Sequence, residues 1–397
     1  MGWVIRTPKG FRANWREPDG RQRAKTFPTN REANAYLAEV ETAKNKGSYV
    51  NPHAGRTPFA VVAGRWLSSR NDEATTIARD ASIMTNHVLG KWSGWPVGKI
   101  THLDVQDWIT SLGGKLAPAT VSECHRLARA VLAAAVRQHL IGSNPTDGVR
   151  LPGRRVRDTD EVVISREVFR ARLLPAVPDR HRALVAMAGG TGQRWGEAIA
   201  VRTDALALDK RVVRVIRTIT EVAGHTQHKP FPKSRAGRRE IPLPSWLVPL
   251  LREHLETYPP NDDGLIFTNQ AGGPLRRTLF RSRVWKPSLV RAGLLGEIRA
   301  EDDDTHTGLW ADSDGVKHTE QFERHDQAVR HVAKHATGGM TFHDLRHSYA
   351  TWLVDDGVPV NMAMKVLGHE HASTTLQLYT RRTTDHDRIR KALDDDA

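Results

Sequence analysis

The spacing of apolar and polar residues changes along the chain, and each change predicts a different kind of structure. Between residues 3 and 27, apolar or aromatic residues alternate with basic ones in three short runs, separated by turns that contain proline and glycine. Alternation with a period of two predicts a three-stranded meander. Asn30 can then cap a helix from Arg31 to about Lys44. We expect residues 1–55 to form one small domain.

Helical spacing begins at Thr57-Pro58 and predicts a helical domain over 56–150. Its later helices are expected at about 74–89, 101–112 and 118–140. Cys124, the only cysteine, lies on the apolar stripe of the last helix, so we expect it in the core. A single cysteine also excludes an internal disulfide.

A stretch of turn formers and arginines at 151–163 is typical of a linker, and 164–397 then mixes both periods. Helices are expected at about 166–174 and 180–189, strands at 211–219 and 240–243, and further helices from about 245. The predicted fold class is mainly α with small β-sheets, in which a three-stranded sheet plus helix, a helical domain and an α+β domain follow one another.

Charge indicates the class of partner. Among 397 residues, 59 Lys and Arg exceed 45 Asp and Glu by 14, which favours nucleic acid or an acidic membrane surface. No run approaches the roughly 18 apolar residues of a membrane span, and the N-terminus lacks the apolar segment of a secretion signal. We therefore expect a cytoplasmic, nucleoid-associated protein.

Basic residues near the N-terminus and in the linker are candidates for DNA contacts, with one charged face of the small sheet as the expected surface. A solvated charged face that binds nothing is the alternative. The candidates are Arg12, Arg16, Arg21, Arg23 and Lys25 in the sheet, and Arg154, Arg155 and Arg157 in the linker.

The first motif with chemical content runs from Gly189 to Glu197 and reads Gly-Gly-Thr-Gly-Gln-Arg-Trp-Gly-Glu. Its glycines predict a turn that frees backbone N–H groups and presents Arg194 at a helix start, a good place for a phosphate. A dinucleotide-binding loop is disfavoured, because the glycines follow a predicted helix and not a strand.

Two more motifs lie near the C-terminus. In Thr341–Tyr349, a capping box is expected to begin a helix on which His343 and Arg346 share one face and can grip one anion, while Tyr349 falls on the apolar stripe. In Leu367–Arg381, Gly368 ends one helix and Tyr379 lies about two turns into the next. From its setting alone, Tyr379 is either a nucleophile or a structural tyrosine.

In order, Thr-Gly-x-Arg-x-x-Glu, His-x-x-Arg-His, Leu-Gly-His and a following tyrosine resemble the tyrosine recombinase, or phage integrase, family. The resemblance is specific over 180–222 and 341–382, and it is most like a three-domain integrase of a phage or mobile element. It implies an arm-binding domain for the N-terminal sheet, a core-binding domain for the helices and a catalytic domain for the rest.

The resemblance also implies residue roles. Tyr379 would be the nucleophile, and Lys233, rather than Lys229, would protonate the leaving 5′ oxygen. Glu197 would orient neighbouring side chains without transferring protons. The full set of expected catalytic residues is Arg194, Lys233, His343, Arg346, His369 and Tyr379.

The reaction implied is cleavage and rejoining of duplex DNA through a 3′-phosphotyrosine, without ATP, metal or other cofactor. The implied partners are double-stranded DNA with core-type and arm-type sites, other copies of the chain in a tetramer on synapsed DNA, and a DNA-bending or directionality factor. A catalytically silent DNA-binding regulator and a chromosome-resolution recombinase are the alternatives within the same fold.

A metal-dependent nuclease is a further alternative, because four histidines fall at suggestive intervals: His331, His335, His343 and His347. No carboxylate has the spacing of a hydrolase ligand, so we expect His331 and His335 to be exposed residues of a polar helix.

The segment from about 300 to 338 lengthens the chain between the motifs, and we expect an inserted loop or small subdomain there. It either contacts DNA or a partner protomer, or is solvated decoration.

Overall fold

The computed structural model describes residues 2–17, 20–45, 49, 54–153, 162–229, 237–302 and 304–368. The chain forms two compact units, residues 1–156 and 157–397. Their boundary lies within the stretch predicted as a linker, and the division of the first unit at residue 55 stays a prediction. None of the described helices is long and apolar enough to cross a membrane.

The predicted N-terminal meander is confirmed as an antiparallel sheet in the order β1–β2–β3. The elements are β1 Trp3–Thr7, β2 Gly10–Arg16, β3 Gln22–Phe27 and helix α1 Asn30–Asn45. Alternation decides which face is buried, because Ala13 and Trp15 share a hydrophobic cluster with Leu37 of α1. The face that α1 does not cover, called the open face, carries exposed Arg12 and Arg16 with Asn14 buried between them.

The basic residues of this sheet are divided between its two faces. Lys25 pairs with Ala13 and Arg23 pairs with Trp15, so both lie on the side that α1 covers. The Lys25 ammonium lies 4.8 Å from the ring centroid of Tyr36. Arg12 and Arg16 lie on the open face, and Arg21 precedes β3.

The helical part of the first unit follows the predicted pattern. Its helices are α2 Phe59–Ser68, α3 Ala74–Ile83, α4 Leu89–Trp92, α5 His102–Gly113 and α6 Pro118–Arg137. A π-helical turn over Met84–Val88 joins α3 to α4. A capping box between Thr101 and Asp104 begins α5. Cys124 is buried in the core, as predicted.

A buried carboxylate links α3 to α6. Asp80 is fully buried and accepts hydrogen bonds from Arg70 at 2.5 Å and from Arg126 at 2.7 Å, with Arg79 at 3.2 Å. Asp72 and Glu123 pair with the same arginines at the surface. We call these six residues the Asp80 network; it holds three negative and three positive charges.

The second unit is α+β, as predicted. A wide helical turn over 168–173 leads into its first helices, α7 Leu174–Ala176, α8 Asp179–Thr191 and α9 Trp195–Ala198. Its first strands are β4 Leu206–Ala207, β5 Val212–Val215, β6 Thr218–Val222, β7 His225–Lys229 and β8 Arg239–Pro242. The helices after them are α10 Leu247–Thr257, α11 Arg277–Phe280 and α12 Lys286–Arg291.

The strand predicted over 211–219 is divided between two sheets. β5 lies between β4 and β8, whereas β6 forms a hairpin with β7. The ladder breaks where Arg217 donates to both carboxylate oxygens of Asp204, at 2.9 and 2.7 Å. The alternating run therefore belongs to two sheets and not to one strand.

The expected insertion contains an ordered sheet and helix. The elements are β9 Glu297–Ala300, β10 His306–Ala311, β11 Lys317–Phe322 and α13 His325–His335. His331 is not the exposed residue that was expected, because its ring lies 4.9 Å from that of buried Trp310, whereas His335 is exposed. The last described helices are α14 Asp344–Asp355 and α15 Val360–Leu367.

Candidate active site

Arg194 stands at the start of α9, as predicted. Its backbone N–H donates to Glu197 Oε2 at 3.0 Å, and its guanidinium Nη1 donates to Oε1 at 2.9 Å. The side chain is 43% exposed, so the guanidinium has an open side. Glu197 therefore orients Arg194 towards solvent while remaining buried itself.

A glycine makes this turn possible. Gly192 caps α8 with a φ of +63°, and a Cβ at this position would lie 2.4 Å from Cδ1 of Tyr349. A side chain would be both strained and obstructed there. The turn can therefore pass close to α14, which carries the second arginine.

Arg346 extends from α14 into the same region and is almost fully buried. Its Nη1 donates to Gly192 O at 2.8 Å, and its Nη2 donates to Leu367 O at 2.6 Å. Burial, and then the neighbouring charge of Arg194, lower the pKa of Arg346 to about 9. The guanidinium is still protonated at neutral pH, and it joins the first motif to the end of α15.

His343 lies immediately before α14, and its ring centroid is 5.0 Å from that of His347. Burial, followed by the charges of His347 and Arg346, lowers the pKa of His343 to about 4. The imidazole is therefore neutral at neutral pH and can accept a proton. Tyr349 is buried, as predicted, and burial raises its pKa to about 12.

An aromatic cluster supports the two chain segments that carry these residues. The ring centroid of Trp195, next to Arg194, lies 5.0 Å from that of Phe342, next to His343. Phe280 contacts both rings, at 4.8 and 5.7 Å. The cluster packs the first arginine motif directly against the second.

Sequence reasoning missed Arg239. The side chain is 2% exposed, and its Nη2 donates to Glu197 Oε2 at 2.9 Å. Its Nε donates to Val366 O at 2.6 Å. A signal was present, because Arg239 and Ile241 alternate with exposed residues in β8 and both point inward.

Glu197 is ionised in this setting. Burial alone would raise the pKa of its carboxyl group, but the hydrogen bond and charge of Arg239, and the charge of Arg194, lower it overall. We call Glu197, Arg194, Arg239 and Arg346 the Glu197 network. It combines three guanidiniums with one carboxylate and therefore carries a net charge of about +2.

Several predicted site residues lie outside the part of the chain that the structure describes. These are Lys233, His369 and Tyr379 of the catalytic set, and Arg154, Arg155 and Arg157 of the linker. Within the described part, Arg194, Glu197, His343 and Arg346 come together, whereas Arg12, Arg16, Arg21, Arg23 and Lys25 belong to the first unit. The described residues contain no cluster of three side chains suited to a metal ion.

A sequence model of the phage integrase family matches residues 171–386. This chain belongs to the phage integrase family. A putative prophage phiRv2 integrase of Mycobacterium tuberculosis strain H37Rv is 29% identical over 271 residues, which cover 65% of this chain and 69% of that protein. The tyrosine recombinase XerD of Corynebacterium glutamicum is 28% identical over 210 residues, covering 52% of this chain and 49% of XerD.

Solved structures share the fold. The integrase of transposon Tn1549, in complex with transposon right end DNA, superimposes with a TM-score of 0.61 at 18% identity and covers 84% of this chain and 98% of that one. A lambda integrase dimer bound to a COC′ core site gives 0.54 at 14% identity over 96% and 95% of the two chains. The phage integrase family member described here is thus a tyrosine recombinase, a site-specific DNA recombinase.

Proposed function

We propose that this integrase cleaves DNA with Tyr379 as nucleophile and with Arg194 and Arg346 as the clamp on the scissile phosphate. The net positive charge of the Glu197 network is the observation that carries the proposal. Arg346 is protonated at neutral pH, and the guanidinium of Arg194 is open to solvent. Buried positive charge without a counter-ion is costly, and a phosphate group would compensate it.

The cleavage step follows from this charge distribution. The Tyr379 oxygen attacks phosphorus, the bond from phosphorus to the 5′ oxygen breaks, and a 3′-phosphotyrosine remains. The non-bridging oxygens gain negative charge in the transition state, where fixed guanidiniums stabilise them most. A 5′ hydroxyl from another strand reverses the step, so the bond energy is kept.

Proton transfer requires a base and an acid. A free tyrosine has a pKa near 10, so its hydroxyl proton needs an acceptor, and His343 is neutral and close to the clamp. Lys233 would donate a proton to the departing 5′ oxygen, and His369 would donate a hydrogen bond to the phosphate. These last two assignments rest on the family motifs.

The wider reaction is recombination between two DNA sites. We propose that the helical part of the first unit binds core-type DNA, that the N-terminal sheet binds arm-type DNA through the open face with Arg12 and Arg16, and that four copies act on synapsed sites. The lambda integrase tetramer bound to a Holliday junction has the same fold and supports the proposal by analogy. A bending or directionality factor would decide between integration and excision of the mobile element.

Trapping the covalent intermediate tests this function. A nicked duplex carrying the core site, taken from the repeats that flank the element, should form a covalent protein–DNA adduct in the presence of a chelator. Tyr379→Phe should lose the adduct while DNA binding stays within about threefold, because only one hydroxyl is removed. Arg194→Ala should lower the cleavage rate by about 10²–10³.

The matched control is Tyr258→Phe, which removes the same hydroxyl group from a tyrosine at the end of α10. It should leave adduct formation unchanged. An adduct that survives Tyr379→Phe, or that forms only with a divalent metal, would overturn the assignment. DNA binding by the wild-type chain without any adduct would favour the silent regulator.

A further inference from the structure

We propose that Arg239 is a positioning residue for strand cleavage, which fixes both Arg194 and the end of α15 in the geometry that the reaction needs. The inference rests on the proposed function. It goes beyond the family motifs, because Arg239 belongs to none of the catalytic positions that those motifs define. Three observations carry it.

First, Arg239 is engaged entirely within the protein. Each of its three guanidinium nitrogens donates to a protein oxygen: Nε to Val366 O at 2.6 Å, Nη1 to Gly237 O at 3.1 Å and Nη2 to Glu197 Oε2 at 2.9 Å. Its side chain is 2% exposed, against 43% for Arg194. Arg239 is therefore not a third contact to the phosphate.

Second, Arg239 and Arg194 share one carboxylate. Glu197 Oε1 accepts from Arg194 Nη1, while Oε2 accepts from Arg239 Nη2 and from the backbone N–H of Arg194. A carboxylate held by a planar guanidinium has a defined rotamer, which a lysine cannot impose with a single ammonium group. The orientation of Arg194 therefore depends on Arg239 through Glu197.

Third, the end of α15 is held by three arginines in turn. Val366 O accepts from Arg239 at 2.6 Å, Leu367 O from Arg346 at 2.6 Å, and Gly368 O lies 3.4 Å from Arg194 Nη2. The last carbonyls of a helix lack intrahelical donors and form the negative end of its dipole. Arg239 thus ties α15 to the same carboxylate that orients the clamp.

The first experiment compares single-turnover cleavage with DNA affinity. Arg239→Lys keeps the charge but loses the fork of donors, so the cleavage rate should fall about 10–100-fold, since small displacements of catalytic groups have effects of that size. The dissociation constant for core-site DNA should change less than about threefold, because Arg239 does not reach the phosphate.

Arg180→Lys is the matched control. Arg180 also donates to three protein oxygens in the second unit, namely Thr268 O, Thr268 Oγ1 and Asn269 O. It lies outside the Glu197 network, so its replacement should leave the cleavage rate unchanged. Thermal unfolding of both variants shows whether the loss of three hydrogen bonds alone accounts for any rate difference.

A substrate with a neutral scissile group separates positioning from general loosening of the fold. When a methyl group replaces one non-bridging oxygen, the phosphate loses its charge and depends less on the clamp. The defects of Arg194→Ala and Arg239→Lys should then both shrink by at least about fivefold. A defect of equal size on both substrates would overturn the inference.

Glu197→Gln serves if Arg239→Lys folds poorly, and the double variant completes the test. Glu197→Gln should show the same rate defect, and combining it with Arg239→Lys should add little, because both changes break one coupled unit. Additive defects, or a wild-type rate in Arg239→Lys, would overturn the positioning role while the adduct still supports the function. A wild-type chain that forms no adduct would overturn both.

Discussion

Each unit of this integrase contains a buried carboxylate surrounded by arginines, and the two differ in charge. The Asp80 network joins α3 to α6 and balances three arginines with three carboxylates. The Glu197 network joins α9, β8 and α15 and, among the described residues, sets three arginines against one carboxylate, a net charge of about +2. A balanced network needs nothing further, whereas an unbalanced one favours an anionic ligand.

Exposure shows the same difference. Arg79 and Arg126 of the Asp80 network are 57% and 41% exposed, but each is close to an acidic side chain at the surface, Glu123. Arg194 is similarly exposed, and among the described residues its carboxylate partner is Glu197, which it shares with Arg239. The number of arginines in a network therefore does not distinguish an active site from a structural network. The net charge that remains after pairing does distinguish them.

The largest effect on stability is expected at the balanced network. Asp80→Asn leaves three arginines around a neutral amide, so the free energy of unfolding should fall by about 3–5 kcal/mol. Asp72→Asn removes the exposed partner of Arg70, and should lower the free energy of unfolding by less than about 1 kcal/mol. Urea denaturation, monitored by circular dichroism, measures the free energy of unfolding of both variants.

The comparison would fail if Asp80→Asn were as mild as Asp72→Asn, since Asp80 would then not organise its arginines. It would also fail if Asp80→Asn, at a temperature where it is folded, lowered the single-turnover rate on bound DNA as strongly as Arg194→Ala. A structural network should change the stability of its unit and leave the chemical step intact.

A smaller effect is expected at the turn that supports the unbalanced network. In Gly192→Ala, the new Cβ meets Tyr349 and the backbone keeps a left-handed φ, so the free energy of unfolding should fall by about 2–3 kcal/mol. Gly315→Ala has a similar φ of +80° with open space around it, and should cost only about 1 kcal/mol.

Cleavage distinguishes the two glycine variants further. Gly192 O accepts from Arg346, so displacement of this turn moves an acceptor of the clamp. The cleavage rate of Gly192→Ala should therefore fall, while that of Gly315→Ala should not. Equal losses of stability in the two variants would show that the close approach of Gly192 to Tyr349 does not add to the cost of a side chain at Gly192.

The sequence predicted most of what depends on local pattern. Alternation located the N-terminal strands, helical spacing located α2, α3, α5 and α6, and the motifs brought Arg194, His343 and Arg346 to one place. The face of the sheet on which Lys25 lies is also decided locally. Lys25 pairs with Ala13, and side chains alternate between the two faces along β2 and β3.

What the sequence could not predict depends on contacts between distant residues. Arg239 acquires its role from Glu197, 42 residues away, and from Val366, 127 residues away. The predicted strand over 211–219 is divided between two sheets, and Arg217, at the division, pairs with Asp204. His331 reads as a polar helix position until the sheet of the insertion places Trp310 against it.

A further expected effect is a difference in how the two networks respond to acid. His343, beside the Glu197 network, has its pKa lowered by burial from 6.5 to about 4. Between these values the unfolded chain binds a proton that the folded chain does not, so the free energy of unfolding falls as the pH drops from 6.5 towards 4. Burial similarly lowers the pKa of His181 to about 4.

Asp80 should not contribute to this slope. Burial alone would raise the pKa of its carboxyl group, but hydrogen bonds from Arg70 and Arg126 lower it overall below its ordinary 3.8. Its stabilisation is therefore lost only at pH values below that. Urea denaturation between pH 7 and about 4 should show a shallower slope in His343→Gln, and an unchanged slope in the exposed control His225→Gln.

Bound DNA should move this titration in a known direction. A phosphate held by Arg194 and Arg346 places negative charge near His343 and favours its protonated form, so the pKa of His343 should rise in the complex. The acid limb of the cleavage rate for bound substrate should then lie above pH 4, closer to the ordinary value for histidine. An acid limb that stays at about pH 4 in the complex would contradict this expectation. It would show that the phosphate lies away from His343, and that the unpaired charge of the Glu197 network does not act at the reacting group.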